Sequence, residues 1–445
     1  MDENKLPEVE TTAGGISAPI LPKKPRFSAS KQEILAALLC YGLAWVWFDI
    51  FDVFERGGDW KTKLWLTVFA VGYVALAELL HRDVKRPRES WIWLGCVAVL
   101  TAALLLRRGN ALGTDIYEKA APLYFFLHVF AIWWLLSRSG RLCEGESGRL
   151  LPYDALNAFI VFPFKHFFLR IRCLWYGLAS LFDRRARPKT ETVVWSCAAA
   201  LVALALFVKA VSLLMSADEG FDALLSGLAD RLAFKTEFDV IRLFFSLPVG
   251  AYVFGLLAGT AREDRERLRE RGAAIQKGLR ELRRVPEKIY LVVLGLFTLL
   301  YLAFFILQGR YLFGAFTRTL PEGFVVSRYA REGFFELCRV MAVNFVLLWL
   351  VARTPRRPLR QSRPLLIASL ALLAESMIFA VIAASKLWLY IDCFGFTPKR
   401  LQSAWLIGVL FAGCLFAAYA ILTGKKSFRG WMIFSAVSLS LLCLY

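Results

Sequence analysis

Apolar residues run along this chain in long unbroken blocks separated by short charged stretches. The pattern lacks the two-residue alternation of half-buried strands. Eleven blocks are long enough, or nearly so, to span a hydrocarbon core of about 30 Å, which takes about 20 helical residues. They cover 33–54, 62–81, 91–106, 119–137, 192–216, 238–260, 287–308, 333–353, 364–391, 401–423 and 429–445, the third and the last being the shortest. Continuous apolar runs exclude a lipid-facing barrel, and a backbone in hydrocarbon must bond internally, so the spans are helices. The expected fold is all-α, a polytopic integral membrane helical bundle of about eleven transmembrane helices.

The connecting segments divide the chain. Residues 1–32 are polar, hold Pro7, Pro19, Pro22 and Pro25, and read as a disordered cytoplasmic tail without the order of a cleaved signal peptide. A first four-helix membrane segment covers 33–137, and a second, of about seven helices, covers 192–445. Between them, 138–191 is a basic inner loop. Its stretch from Leu150 to Phe182 interleaves aromatic rings with Lys165, Arg170 and Arg172 around Pro163. Such a stretch suits interfacial amphipathic helices, with a re-entrant segment as the alternative. Residues 264–284 form a charged cytoplasmic helix with Leu268, Ile275, Leu279 and Leu282 on one stripe, ended by Pro286. In the sixth span, Pro248 and Gly250 predict a kink, and Gly255 and Gly259 a close helix contact.

Composition strengthens the membrane reading, since 58% hydrophobic residues exceed the 45–50% of soluble proteins. A net charge of +19 invites nucleic acid as a partner, and its distribution argues against that. With a cytoplasmic N terminus, 37 of the 55 Lys and Arg residues fall in inner segments, 14 in outer loops and four within spans. This is the positive-inside asymmetry, and it puts the C terminus outside. The expected partners are the lipid bilayer and its anionic inner-leaflet lipid. Nine scattered cysteines without a CxxC pair, and three unrelated histidines, predict no metal site, and nothing in the chain calls for a cofactor. Gly424-Lys425-Lys426-Ser427 lacks the preceding glycine loop of a phosphate-binding motif.

The candidate chemistry lies in the membrane charges, which cost a few kcal/mol each at depth and need partners or a water-filled cavity. Tyr329, Glu332, Glu336 and Arg339 share one face of the eighth span, with Arg331 beside them and Tyr311 in the preceding loop. The i, i+3 spacing of Glu336 and Arg339 allows an ion pair. Glu375 and Lys386 are nearly in line on the ninth span, and Asp49 and Asp52 end the first. Almost all of these fall in the outer half, which predicts a polar cavity open to the outer face. In the loop before the tenth span, Thr397 has the chemistry of an N-cap and Pro398 that of the first helical position. Lys399 and Arg400 beside them make an anion-binding turn.

Several of these residues carry a resemblance. Tyr311-Leu312-Phe313-Gly314, Tyr329-Ala330-Arg331 with Gly333-Phe334 and Leu337, and Gly395-x-Thr397-x-x-Arg400 together resemble the signature of a bacterial polytopic membrane family catalogued as domain of unknown function 4173. The resemblance covers about the C-terminal half, and Glu332 stands where that family is expected to hold a basic residue. It implies a multi-pass protein of the bacterial cytoplasmic membrane and carries no activity with it. Three functions compete. The first is a transporter-like or ligand-sensing protein taking a small ion or an anionic headgroup at the outer face. The second is a membrane-embedded transferase acting on a lipid-linked substrate, with Asp49 and Asp52 where such enzymes are expected to hold a catalytic acid or a metal ligand. The third is a non-catalytic regulatory or structural subunit whose basic inner surface docks a partner.

Overall fold

The computed structural model describes residues 27–56, 60–106, 114–182, 237–307 and 326–444, with scattered helical positions between 195 and 214. The side chains of 49–56, 60–63, 114–121, 181–182, 237–241 and 326–332 lie outside that description. The described residues are helical, with one isolated bridge between Val285 and Pro355. Four long helices open the chain, α1 (Lys31–Arg56), α2 (Trp60–Leu80), α3 (Arg88–Leu106) and α4 (Thr114–Ser139). A broken stretch follows, α5 (Leu151–Leu156), a π-helical turn at Asn157–Val161, α6 (Phe162–Lys165) and α7 (Leu169–Phe182). Next come α8 (Glu237–Arg262), the charged α9 (Arg265–Glu281), α10 (Glu287–Leu307) and α11 (Val326–Arg353). The chain closes with α12 (Arg363–Phe394), α13 (Pro398–Thr423) and α14 (Phe428–Leu442).

Six helices among the described residues are long and apolar enough to cross a membrane, and two shorter apolar ones accompany them. Multi-pass membrane character therefore stands, while the expected count of eleven reaches into residues outside the description. The 192–216 span is one such case. Apolar side chains form two clusters that do not follow chain order. The first joins α1–α4, the 151–182 stretch and α8, and takes in Ala436 from α14. The second joins α10, α11, α12 and α13. Helix α14 packs on both α13 and α3, so it ties one cluster to the other.

Small residues set the closest approaches. A Cβ at Gly255 would stand 2.6 Å from the Pro163 carbonyl, and one at Gly259 would stand 2.7 Å from the His166 ring. The small-xxx-small pair of α8 is thus the seat of α6. The 151–182 stretch buries Ala158, Phe162 and Cys173 in the first cluster and leaves Ile160, Phe164 and Phe168 exposed. Its π turn sits where that seating begins, the kind of local irregularity that re-aims a helix.

The six segments assigned by charge to one side of the membrane meet at one end of the bundle. Their arginines serve as caps for carbonyls left open at helix termini. Arg138 donates to the His81 and Val84 carbonyls, each at 3.0 Å, and pairs with Glu78 at 2.9 Å. Arg141 donates to the Thr260 carbonyl at 2.7 Å, Arg265 to Ser139 at 2.8 Å and Arg360 to Leu422 at 3.1 Å. Arg429, at the start of α14, pairs with Glu89 at 3.1 Å and also with Glu146. Arg262 reaches Glu33 at 2.9 Å. The predicted stripe of α9 docks here through buried Leu268 and through Gly272, which lies against Cys143 and Leu150. Leu282 stays exposed. The helix is capped by the Asp264 side chain accepting from the Glu266 N–H at 2.9 Å.

Asp154 lies inside this end and is almost fully buried. One carboxylate oxygen accepts from the Cys143 N–H at 3.0 Å, and the other has no partner. Burial pushes its pKa up from 3.8 to about 6, the bonds to Cys143 opposing and Glu144 assisting. The folded protein therefore holds the proton more tightly than the unfolded chain, and stability falls as pH rises from about 4 to about 6. A shift of this size corresponds to roughly 3 kcal/mol. Asp154→Asn keeps the acceptor and removes the titration, so its thermal unfolding in detergent loses this decline. Identical pH profiles for the two proteins contradict the assignment.

Candidate functional site

Helices α11 and α12 pack closely along their length, and the predicted charges divide there between two places. The first is Lys386, which is 1% exposed although its side chain ends in an ammonium. Its ammonium points at α11. A Cβ on Gly333 would stand 2.5 Å from Lys386 Nζ, so a larger residue there would require the lysine chain to shift. Glu336, one turn further along α11 and exposed, interacts electrostatically with the same ammonium. From helical rise, Lys386 lies about 12 Å from the Phe394 end of α12. That end holds the loop assigned to the outer face.

Arg339 is exposed on α11, and no ion pair within 4 Å joins it to Glu336 among the described residues. The i, i+3 spacing puts both on the helix surface without bringing their charges together. Arg242, an additional charge in α8, is buried and donates to the Trp45 carbonyl of α1 at 2.6 Å, its guanidinium 4.5 Å over the Trp45 ring. Asp49, Asp52, Tyr329, Arg331 and Glu332 lie on described helices with side chains outside the description, and Tyr311 lies outside it altogether.

The second place is a buried polar network that the charge pattern alone does not reveal. The Tyr301 hydroxyl of α10 donates to Asn344 Oδ1 of α11 at 2.6 Å, and Asn344 Nδ2 donates to Ser376 Oγ of α12 at 2.9 Å. Ser376 passes its own proton to the Leu372 carbonyl at 2.8 Å. Glu375, 7% exposed, lies beside Thr298 of α10 and faces Tyr301. Eleven residues, or about 16 Å of helix, separate it from Lys386. Lys386 therefore lies within electrostatic reach of Glu336, and Glu375 belongs to a different neighbourhood. A lone Asn within an apolar run was the available signal, since buried amides in membrane helices find partners across helices.

In the Thr397 turn, Thr397 holds the N-cap position and Pro398 the first helical turn, but the threonine side chain makes no capping bond. The Arg400 guanidinium folds back, donating to the Gly395 carbonyl and lying 4.1 Å over the Tyr390 ring. Lys399 is exposed beside it. The turn thus spends one of its cations on its own backbone.

A cavity of about 410 Å³ opens in the other cluster, between α1, α2, α4, α6 and α8. Its wall is apolar and includes Trp47, Phe69, His128, Phe164, Phe167 and Pro248. Trp47 Nε1 donates to His128 Nε2 at 2.8 Å, and His128 Nδ1 lies 2.7 Å from the Tyr124 carbonyl, a pairing that suits a neutral imidazole. The Tyr73 side chain also lines the cavity, and its buried hydroxyl has no hydrogen-bond partner. No group of three or more His, Cys, Asp or Glu suited to a metal occurs among the described residues.

The Tyr301–Asn344–Ser376 chain is expected to contribute to the packing of three helices. Asn344→Leu leaves the buried Tyr301 hydroxyl without its acceptor and costs about 1–3 kcal/mol. The readout is unfolding of the purified protein in detergent, and an unchanged midpoint contradicts the network.

Comparison with known proteins gives a family and no activity. Residues 93–445 match the family described as Domain of unknown function (DUF4153). The number differs from the 4173 suggested by the sequence motifs, and the match begins well before the C-terminal half, within α3. No curated protein and no solved structure matches the chain. A match running from α3 through α14 takes in most of both helix clusters, and the chain belongs to the DUF4153 family.

Proposed function

We propose that this is a multi-pass protein of the bacterial cytoplasmic membrane that binds an anionic ligand, transporter-like or ligand-sensing in action, at a polar site open to the outer face. The observation that carries the reading is Lys386, a buried ammonium in a membrane helix that packs against Gly333 of the neighbouring helix. Intramembrane cations face the bundle interior or a water-filled cavity and are found along ligand and ion pathways. Glu336 on the adjoining helix surface balances the charge when no ligand is present. The charge asymmetry of the loops supports the sidedness, with the N terminus inside and the C terminus outside. The transferase reading depends on Asp49 and Asp52, and no described contact favours it.

The test uses purified protein in nanodiscs of phosphatidylglycerol or phosphatidylcholine, with inorganic phosphate added to the second set. Anionic lipid or phosphate is expected to raise the unfolding temperature of the wild type and to lose most of that effect in Lys386→Met, at equal membrane abundance. Equal shifts in both proteins, or reduced abundance alone, assign Lys386 to packing.

The cavity favours a second reading, capture of a lipid chain. Its volume falls in the range of small-molecule sites, and an apolar wall with one unpaired hydroxyl suits a chain bearing a single hydrogen-bonding group. Ala131→Trp, which fills the space, should lower the lipid retained by the purified protein in native mass spectrometry. Unchanged retention excludes this use of the cavity.

A further inference from the structure

Among the described residues, the stretches around Glu375 contain no other charge. Within residues 289–307, 340–352, 364–385 and 401–423, which make up the facing stretches of α10, α11, α12 and α13, Glu375 is the sole Asp, Glu, Lys, Arg or His. The titratable group that faces it is Tyr301 of α10, and α13 offers no ionisable side chain on that stretch except Cys414 and Tyr419. Arg339 on α11 is exposed, Arg363 begins α12 about 18 Å away, and Lys386 lies about 16 Å along the same helix. Thr298 of α10 hydrogen-bonds the carboxyl, while Tyr301, Asn344 and Ser376 nearby serve one another. Its Oε2 is buried with no hydrogen-bond partner.

An ionised carboxylate in such a place lacks both a counter-charge and the several donors that stabilise an anion. A neutral carboxylic acid meets neither difficulty, with its proton on the oxygen that no donor reaches. We propose that Glu375 is a proton-binding site in the membrane sector, held as the neutral acid in the folded protein at neutral pH. The O–H bond breaks only when water or another acceptor reaches it, and the proton leaves to that acceptor while the charge stays on the carboxylate. Carboxyl groups of this kind form proton relays in membrane proteins. The ligand is a proton, and the site is separate from the Lys386 site, so either proposal can fail without the other.

The experiment is infrared spectroscopy of the full-length protein in nanodiscs at pH 8, where Asp154, at about 6, is ionised. The wild type is expected to show the carbonyl band of a protonated carboxylic acid, and Glu375→Gln to lose it. A second measurement needs no variant. Dicyclohexylcarbodiimide, an apolar reagent that attacks protonated carboxyls, is expected to modify Glu375 of the wild type at pH 7, located by peptide mass spectrometry, with yield falling at higher pH. A folded Glu375→Gln protein whose spectrum matches the wild type overturns the proposal. So does wild-type protein in which Glu375 stays unmodified at pH 7.

Discussion

Hydrocarbon offers no water to an unmatched polar group, and this constraint organises the whole chain. Helices satisfy their own backbones along their length and leave open carbonyls only at their ends. At the basic end of the bundle those carbonyls are met by arginine. Arg138, Arg141, Arg265 and Arg360 each donate to main-chain oxygens on a different segment. A guanidinium suits this task because it presents several donors in a rigid fork and keeps its charge. The concentration of basic residues at this end thus fastens the helix ends together.

The same end couples the two clusters. Helix α14 follows α13 in the chain yet packs on α3, and Arg429 at its start pairs with Glu89 and Glu146 of the first cluster. Helix α9 lies across this junction, with Gln276 donating to Glu144 at 2.6 Å and Lys426 pairing with the same carboxylate at 3.7 Å. A displacement of α13 would therefore be felt through α14 at the α3 end.

Helices were legible because unbroken apolar runs admit few alternatives in a membrane, and the Gly255–Gly259 pair correctly marked a close approach. Lys386 and Glu375 were legible as charges out of place. Their surroundings were not, because helical spacing sorts residues by face without saying which neighbour each face meets. Tyr301, Asn344 and Ser376 come from three helices and converge only on folding. Glu336 and Arg339 illustrate the reverse, sharing a face with no ion pair between them. The cavity draws its wall from several separated segments and leaves no periodic trace. Thr397 shows that the chemistry of a cap predicts the position better than the bond.

The proposed ligand site at Lys386 lies away from the basic end of the bundle. It is tested most directly by cysteine accessibility in intact cells, using protein whose nine native cysteines are replaced and one cysteine is introduced at Glu336 or at Gly278 of α9. A membrane-impermeant maleimide is predicted to label position 336 from outside and position 278 only after the membrane is opened. Labelling of 278 from outside, or of 336 only after permeabilisation, contradicts the sidedness and the outward-facing site together.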